Sequence, residues 1–151
     1  MRTPLSLTWL ELFHAAVVGV TRNIEALAFG RRDDLHGKPT LNPWVRHIEA
    51  AATELVSAKF LNEYWNALAP KPRELKSDMG TRTQIRSSMD LNGHLIIHPD
   101  DPDDGLFYLV IGTAPHFEML GPVRAGDVKR PEYWTTFTGR PAFWIPQAVL
   151  L

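Results

Sequence analysis

Between residues 77 and 88 the chain reads SDMGTRTQIRSS, with an acid at Asp78, a glycine at Gly80, and Gln84 and Arg86 two positions apart. Residues two apart on a strand project from one face. Gln84 and Arg86 are therefore expected side by side, with Asp78 just upstream across a glycine turn. An acid before a turn and then a polar-x-basic pair can hold a hard cation through oxygens while the basic group addresses a phosphate or a water. That chemistry suits hydrolysis of a phosphodiester. The competing reading of the same residues is a solvent-facing edge strand with polar side chains outward.

A second acid, Glu54, falls in a helical pattern whose same-face neighbours one turn away are Ala50, Ala51 and Ala58, with Leu61 a turn further. A carboxylate buried on such a small, apolar face requires a cation, a hydrogen-bond network or a metal. The alternative is a surface glutamate at the edge of the packed stripe. Glu49, near a different stripe, is the second choice. Arg82, which shares a face with Gln84 and Arg86 if the strand is regular, and Lys59 and Arg73 are the basic residues assigned to a nucleic-acid backbone.

The elements that must position these groups are legible as two helices and then strands. Leu12, Phe13, Ala16, Val17, Val20, Ile24 and Leu27 recur at three and four residue steps and predict a helix over 8–29, opened by a Thr8/Glu11 capping box and stopped near Gly30. A second helix begins with Asn42 as cap and Pro43 in the first turn, and is expected to run to about Leu68, where PKPREL breaks it. Beyond it the period shortens. TRTQIRS (81–87), HLIIH (94–98), LFYLVIG (106–112), FEMLGPVR (117–124) and AFWIP (142–146) read as strands separated by Pro, Gly and Asp clusters. Helices followed by strands indicate a single α+β domain over 1–151 with a mixed or largely antiparallel sheet.

The order of a Glu-bearing helix, an Asp, a glycine turn and a strand carrying Gln-x-Arg resembles the PD-(D/E)XK nuclease superfamily, the restriction-endonuclease-like fold. HIEAAATELVSAKFLNEYW, SDMGTRTQIRSS, HLIIHPDD and the run FYLVIGTAPHFEMLGPVRAGDVKRPEYW are similar to small bacteriophage and prophage proteins. The resemblance covers residues 42–150. It implies a core of helix, three strands, helix and strand, with Mg²⁺ or Mn²⁺ held by Asp78, Glu54 and Gln84 at the strand tips, and Asp78, Gln84, Arg86 and Glu54 as the catalytic set. It also implies DNA as substrate, a homodimer that cuts two strands by two-fold symmetry, and the host cytoplasm as location. Two positions depart from the superfamily. Gln84 offers a neutral amide oxygen in place of a carboxylate, so the site has one less negative charge for the cation. Arg86 stands where lysine is usual, and a guanidinium grips phosphate but does not readily give up a proton, which leaves it electrostatic stabilisation of the transition state. The second expectation is therefore a silent version that binds nucleic acid or a host protein.

Composition narrows the field. No cysteine is present, so disulfides, thiolate metal sites and a cysteine nucleophile are excluded, as suits a reducing cytosol. A hydrophobic content of 44% supports one packed core without cross-links. Net charge is −1, so any DNA contact must be local. Glu11 and His14 interrupt the N-terminal run, which reads as folded protein, and no stretch has the apolar length of a membrane span. The acids of DDPDD (100–104) beside His94 and His98 read as a turn between hairpin strands in preference to a second metal site, and Tyr133, Trp134, Phe137, Phe143 and Trp144 as core or partner contacts in preference to base-stacking groups.

Overall fold

The computed structural model describes residues 1–30, 42–67 and 83–151. Two helices are laid against one face of a four-stranded sheet, and a three-stranded sheet covers the other face. Strand β1 (Arg2–Ser6) leads into α1 (Trp9–Ala28), followed by α2 (Pro43–Leu61). Then come β2 (Thr83–Ser88), β3 (Leu95–Ile97), β4 (Leu106–Thr113), β5 (His116–Arg124), the four-residue helix α3 (Ala125–Val128), β6 (Trp134–Thr135) and β7 (Ala142–Ile145). The larger sheet has the order β1-β5-β4-β2, with β1/β5 and β5/β4 antiparallel and β4/β2 parallel; the smaller one has the order β3-β7-β6. The chain is thus α+β with a mixed sheet after its helices.

Both helices begin as their caps dictate. The Thr8 hydroxyl accepts from the Glu11 N–H at 3.2 Å and the Glu11 carboxylate accepts from the Thr8 N–H at 2.7 Å, so two of the orphan donors of the first turn are satisfied reciprocally. Asn42 Oδ1 accepts from the Trp44 N–H at 3.0 Å ahead of Pro43. Helix α2 stops at Leu61, short of the expected Leu68, because Asn62 enters the left-handed region at φ 54° and closes the last turn.

The helices cross closely at Gly19, where a Cβ would come within 2.5 Å of the Ile48 Cα. Glycine is needed there for backbone approach, not for a special φ. Helix α1 buries Ala15, Gly19 and Asn23, and α2 buries Ala51, Ala52, Val56 and Ala58 onto Ile85, Val110, Phe117 and Met119 of the sheet. On the opposite face Phe107, Leu109, Ile111 and Leu120 pack with Leu95, Ile97 and Ile145 of the small sheet. Strand β4 alternates between these cores, Val110 serving one and its neighbours Leu109 and Ile111 the other, which explains its continuous apolar sequence.

Besides the earlier end of α2, the strands depart from the sequence expectation: they form two sheets, and β6 is an added short strand. β1 is an additional edge strand; Pro4, which cannot donate to a ladder, is tolerated at an edge. β3 and β4 do not form a hairpin across DDPDDG, since β3 pairs with β7 in the second sheet. The helix preceding the last strands is reduced to the single turn of α3.

Candidate functional site

Gln84 and Arg86 share a face of β2, as their spacing requires. Ile85 between them belongs to the helix-side core, so the pair points away from the helices, toward the layer that holds Phe107. Arg86 Nη1 donates to Gln84 Oε1 at 3.2 Å, and Nη2 donates to both carboxylate oxygens of Asp101 at 3.1 and 3.2 Å. The guanidinium carbon stands 5.2 Å from the centre of the Phe107 ring, within cation–π range. Asp101 also accepts from the His98 N–H at 2.8 Å. Lys129 donates to the Pro99 carbonyl at 3.1 Å and pairs with Asp103 at 2.6 Å. Of the acids in this run Asp101 is half-buried against Arg86, whereas Asp103 stays exposed while pairing with Lys129, so the turn is pinned to β2 and to the residue following α3.

Glu54 lies in the other layer. Arg22 of α1 donates from Nη1 and Nη2 to its two carboxylate oxygens, each at 2.9 Å, and Trp65 Nε1 donates to Oε2 at 3.3 Å. This is the planar fork that a guanidinium and a carboxylate form best, and it is largely shielded, with side-chain exposures of 12% and 20%. The half-buried carboxylate has the cation that its apolar setting demands. That cation is an arginine from 32 residues upstream.

The expected convergence of Glu54 with Gln84 and Arg86 is accordingly corrected: the sheet separates them. The Gln84 oxygen accepts from Arg86, and both Glu54 oxygens accept from Arg22, so these groups do not fit a shared Mg²⁺ or Mn²⁺. Among the described residues no group of three or more His, Asp or Glu is placed to hold a metal ion, which extends to the His94, His98 and Asp100–Asp104 neighbourhood. Asp78, Arg73 and Arg82 lie outside the described residues. Lys59 donates to Glu11 at 3.1 Å and ties the end of α2 to the start of α1. Glu49 Oε2 accepts from the Ala114 N–H at 2.9 Å and serves the β4–β5 turn.

Two counterions in these networks are not singled out as such by the sequence: Arg22 and Asp101. Arg22 falls between Gly19 and Asn23 on the side of α1 that faces α2, and a cation on a packed helix stripe opposite a buried acid is the signal that would have found it. Asp101 was hidden in a run whose turn propensity accounted for all of its acids.

One electrostatic perturbation stands out. The Glu11 carboxyl is held below its ordinary value of 4.5, first by the hydrogen bond from the Thr8 N–H and then by Lys59. The C-terminal aromatics pack on one another: Trp134 meets Phe143 edge-on at 4.8 Å, and Phe137 lies 5.1 Å from Trp144. An open depression of about 580 Å³ lies beside β1 and β5, lined by Leu5, Leu91, His116, Phe117 and Glu118 among others; none of the candidate residues borders it. No helix among the described residues is long and apolar enough to cross a membrane. Comparison with family models, with curated proteins and with solved structures finds no match to this chain.

Proposed function

We propose that this chain is a catalytically silent, nuclease-like α+β protein that acts by binding another protein and does not hydrolyse DNA. The observation that carries the reading is the pairing of the candidate chemistry: Glu54 is closed by Arg22 and Trp65, and Gln84 and Arg86 are closed by each other and by Asp101. A hydrolytic site needs carboxylate oxygens open to a cation and a basic group open to phosphate. These side chains instead satisfy one another as structural ties.

A protein partner is favoured over nucleic acid by charge. Non-specific affinity for DNA rises with the number of phosphates that Lys and Arg neutralise. Among the described residues Arg2, Arg22, Lys59, Arg86, Lys129 and Arg130 are each matched by a carboxylate, and the net charge of the chain is −1. Exposed apolar side chains on α1 and at the start of α2, Trp44 and Val45 among them, supply the surface that a protein partner uses.

The experiment is cleavage of supercoiled plasmid and of branched DNA with Mn²⁺, by the wild type and by Asp78→Ala. The reading expects no cleavage by either beyond a protein-free control. Mn²⁺-dependent nicking by the wild type that disappears in Asp78→Ala would establish the hydrolytic reading in its place.

A further inference from the structure

Helix α1 has two apolar sides, and among the described residues only one is covered. The inner side packs on α2 and the sheet through Leu12, Ala15, Val18 and Gly19. The outer side carries Leu10, Phe13, Val17, Val20, Ile24 and Leu27, an unbroken series of alternating three- and four-residue steps. Except for half-buried Val20, each of these is exposed, from 47% at Leu10 to 66% at Leu27, and Trp9 beside them is 80% exposed.

Charge is segregated in the same sense. The charged residues of α1 are Glu11, Arg22 and Glu25, all half-buried; Glu11 and Arg22 are joined to Lys59 and Glu54 of α2. Every exposed residue of the helix is apolar apart from His14 and Thr21. A solvent face about 30 Å long on a 20-residue helix would normally be its charged face. Counting about 150–250 Å² for each aromatic side chain and less for each aliphatic one, the exposed stripe amounts to roughly 700 Å². That approaches the roughly 800 Å² per partner of a standard protein interface, and exceeds the patches of a few hundred Å² usual on monomers.

We infer that this stripe is a self-pairing surface, on which α1 of a second copy lies antiparallel about a two-fold axis between Val17 and Val20. This inference rests on the protein-binding reading above and names its partner. Three features favour a copy of the same chain. The three- and four-residue spacing is the seam that two helices share when their side chains interlock. In the antiparallel register Leu10 meets Leu27 of the second copy, Phe13 meets Ile24, and Val17 meets Val20, so larger pairs flank a central pair of equal small ones. The residues bordering the stripe, including Ala16, Thr21 and Ala28, carry no fixed charge, so a two-fold axis brings no like charges together.

Sedimentation velocity on the full chain is expected to give twice the 17.1 kDa monomer mass. Val17→Glu places a carboxylate against an apolar neighbour and is expected to weaken association by about 100-fold or more, with the circular dichroism spectrum unchanged. The chain has no cysteine, so Leu10→Cys and Leu27→Cys chains can be mixed and oxidised without background; mixed chains are expected to cross-link, and Leu10→Cys alone is not. The cross-link decides the question even if Val17→Glu fails to fold. A wild-type monomer at every concentration, a dimer indifferent to a folded Val17→Glu, or cross-linking of Leu10→Cys with itself would overturn the inference. A monomer that also leaves DNA uncut would remove self-pairing while leaving the non-hydrolytic reading in place.

Discussion

The two faces of the four-stranded sheet solve one problem in different surroundings. On the helix side, Glu54 is gripped by Arg22 in a two-bond fork at 2.9 Å, inside a seam of alanines and Gly19 that leaves little room for water. On the other side, Arg86 is gripped by Asp101 at 3.1 and 3.2 Å at the open edge of β2, with Gln84 and the Phe107 ring completing its contacts. The first pair joins two helices; the second joins a strand to a loop. Losing the acid strands a cation, and Arg22 is 12% exposed against 27% for Arg86; the penalty for a stranded charge grows with its burial, so equal chemistry has unequal consequences, and mutation can order them.

The largest effect is expected where the second network meets the core. Phe107 is fully buried, and Phe107→Ala removes both core volume and the surface under Arg86; chemical denaturation is expected to show a loss of about 3–5 kcal/mol. Glu54→Ala, which leaves a shielded Arg22 without its carboxylate, is expected to cost about 2–3 kcal/mol, below the range for fully buried pairs because both partners retain some solvent. Asp101→Asn keeps an oxygen for the His98 N–H but discharges the acceptor of Arg86, and a loss of about 1–2 kcal/mol is expected. If Asp101→Asn proves as costly as Glu54→Ala, the distinction between the two faces fails.

The smallest effect sits at the start of α1. Thr8→Ala removes one half of the capping box and is expected to cost about 1 kcal/mol in urea titrations at neutral pH. The pH dependence follows from Glu11, whose folded-state pKa is depressed. Its contribution is present above the ordinary value of 4.5 and is lost as pH falls through the lower folded value. Glu11→Gln should therefore destabilise modestly at neutral pH and cease to matter in stronger acid; a difference that persists there would contradict the assignment.

The limits of the sequence are instructive in the same terms. Caps are local, so Thr8/Glu11 and Asn42/Pro43 declared both helix starts, and the strand periods of residues 83–88, 106–113 and 116–124 declared the sheet. Spacing also put Gln84 beside Arg86. Partners far along the chain left no local trace. Arg22 finds Glu54 across 32 residues, and β3 finds β7 with β4 and β5 of the other sheet between them in the chain. The rule that a buried acid needs a cation, a network or a metal was sound for Glu54; it could not tell an arginine from a magnesium ion, because both satisfy the same charge. Asp101 illustrates the converse, an acid whose role as a counterion was masked by its fitness for a turn.

The decisive proposition is that the Glu54 and Gln84 oxygens, both marked for metal chemistry, belong to arginine pairs. It is tested most directly by thermal unfolding of the wild type with and without Mn²⁺, because an ion that binds the native state raises the melting temperature in proportion to the logarithm of its concentration. No dependence on Mn²⁺ is predicted. A concentration-dependent rise, present in the wild type and abolished by both Asp78→Ala and Glu54→Gln, would show that these carboxylates hold a metal ion.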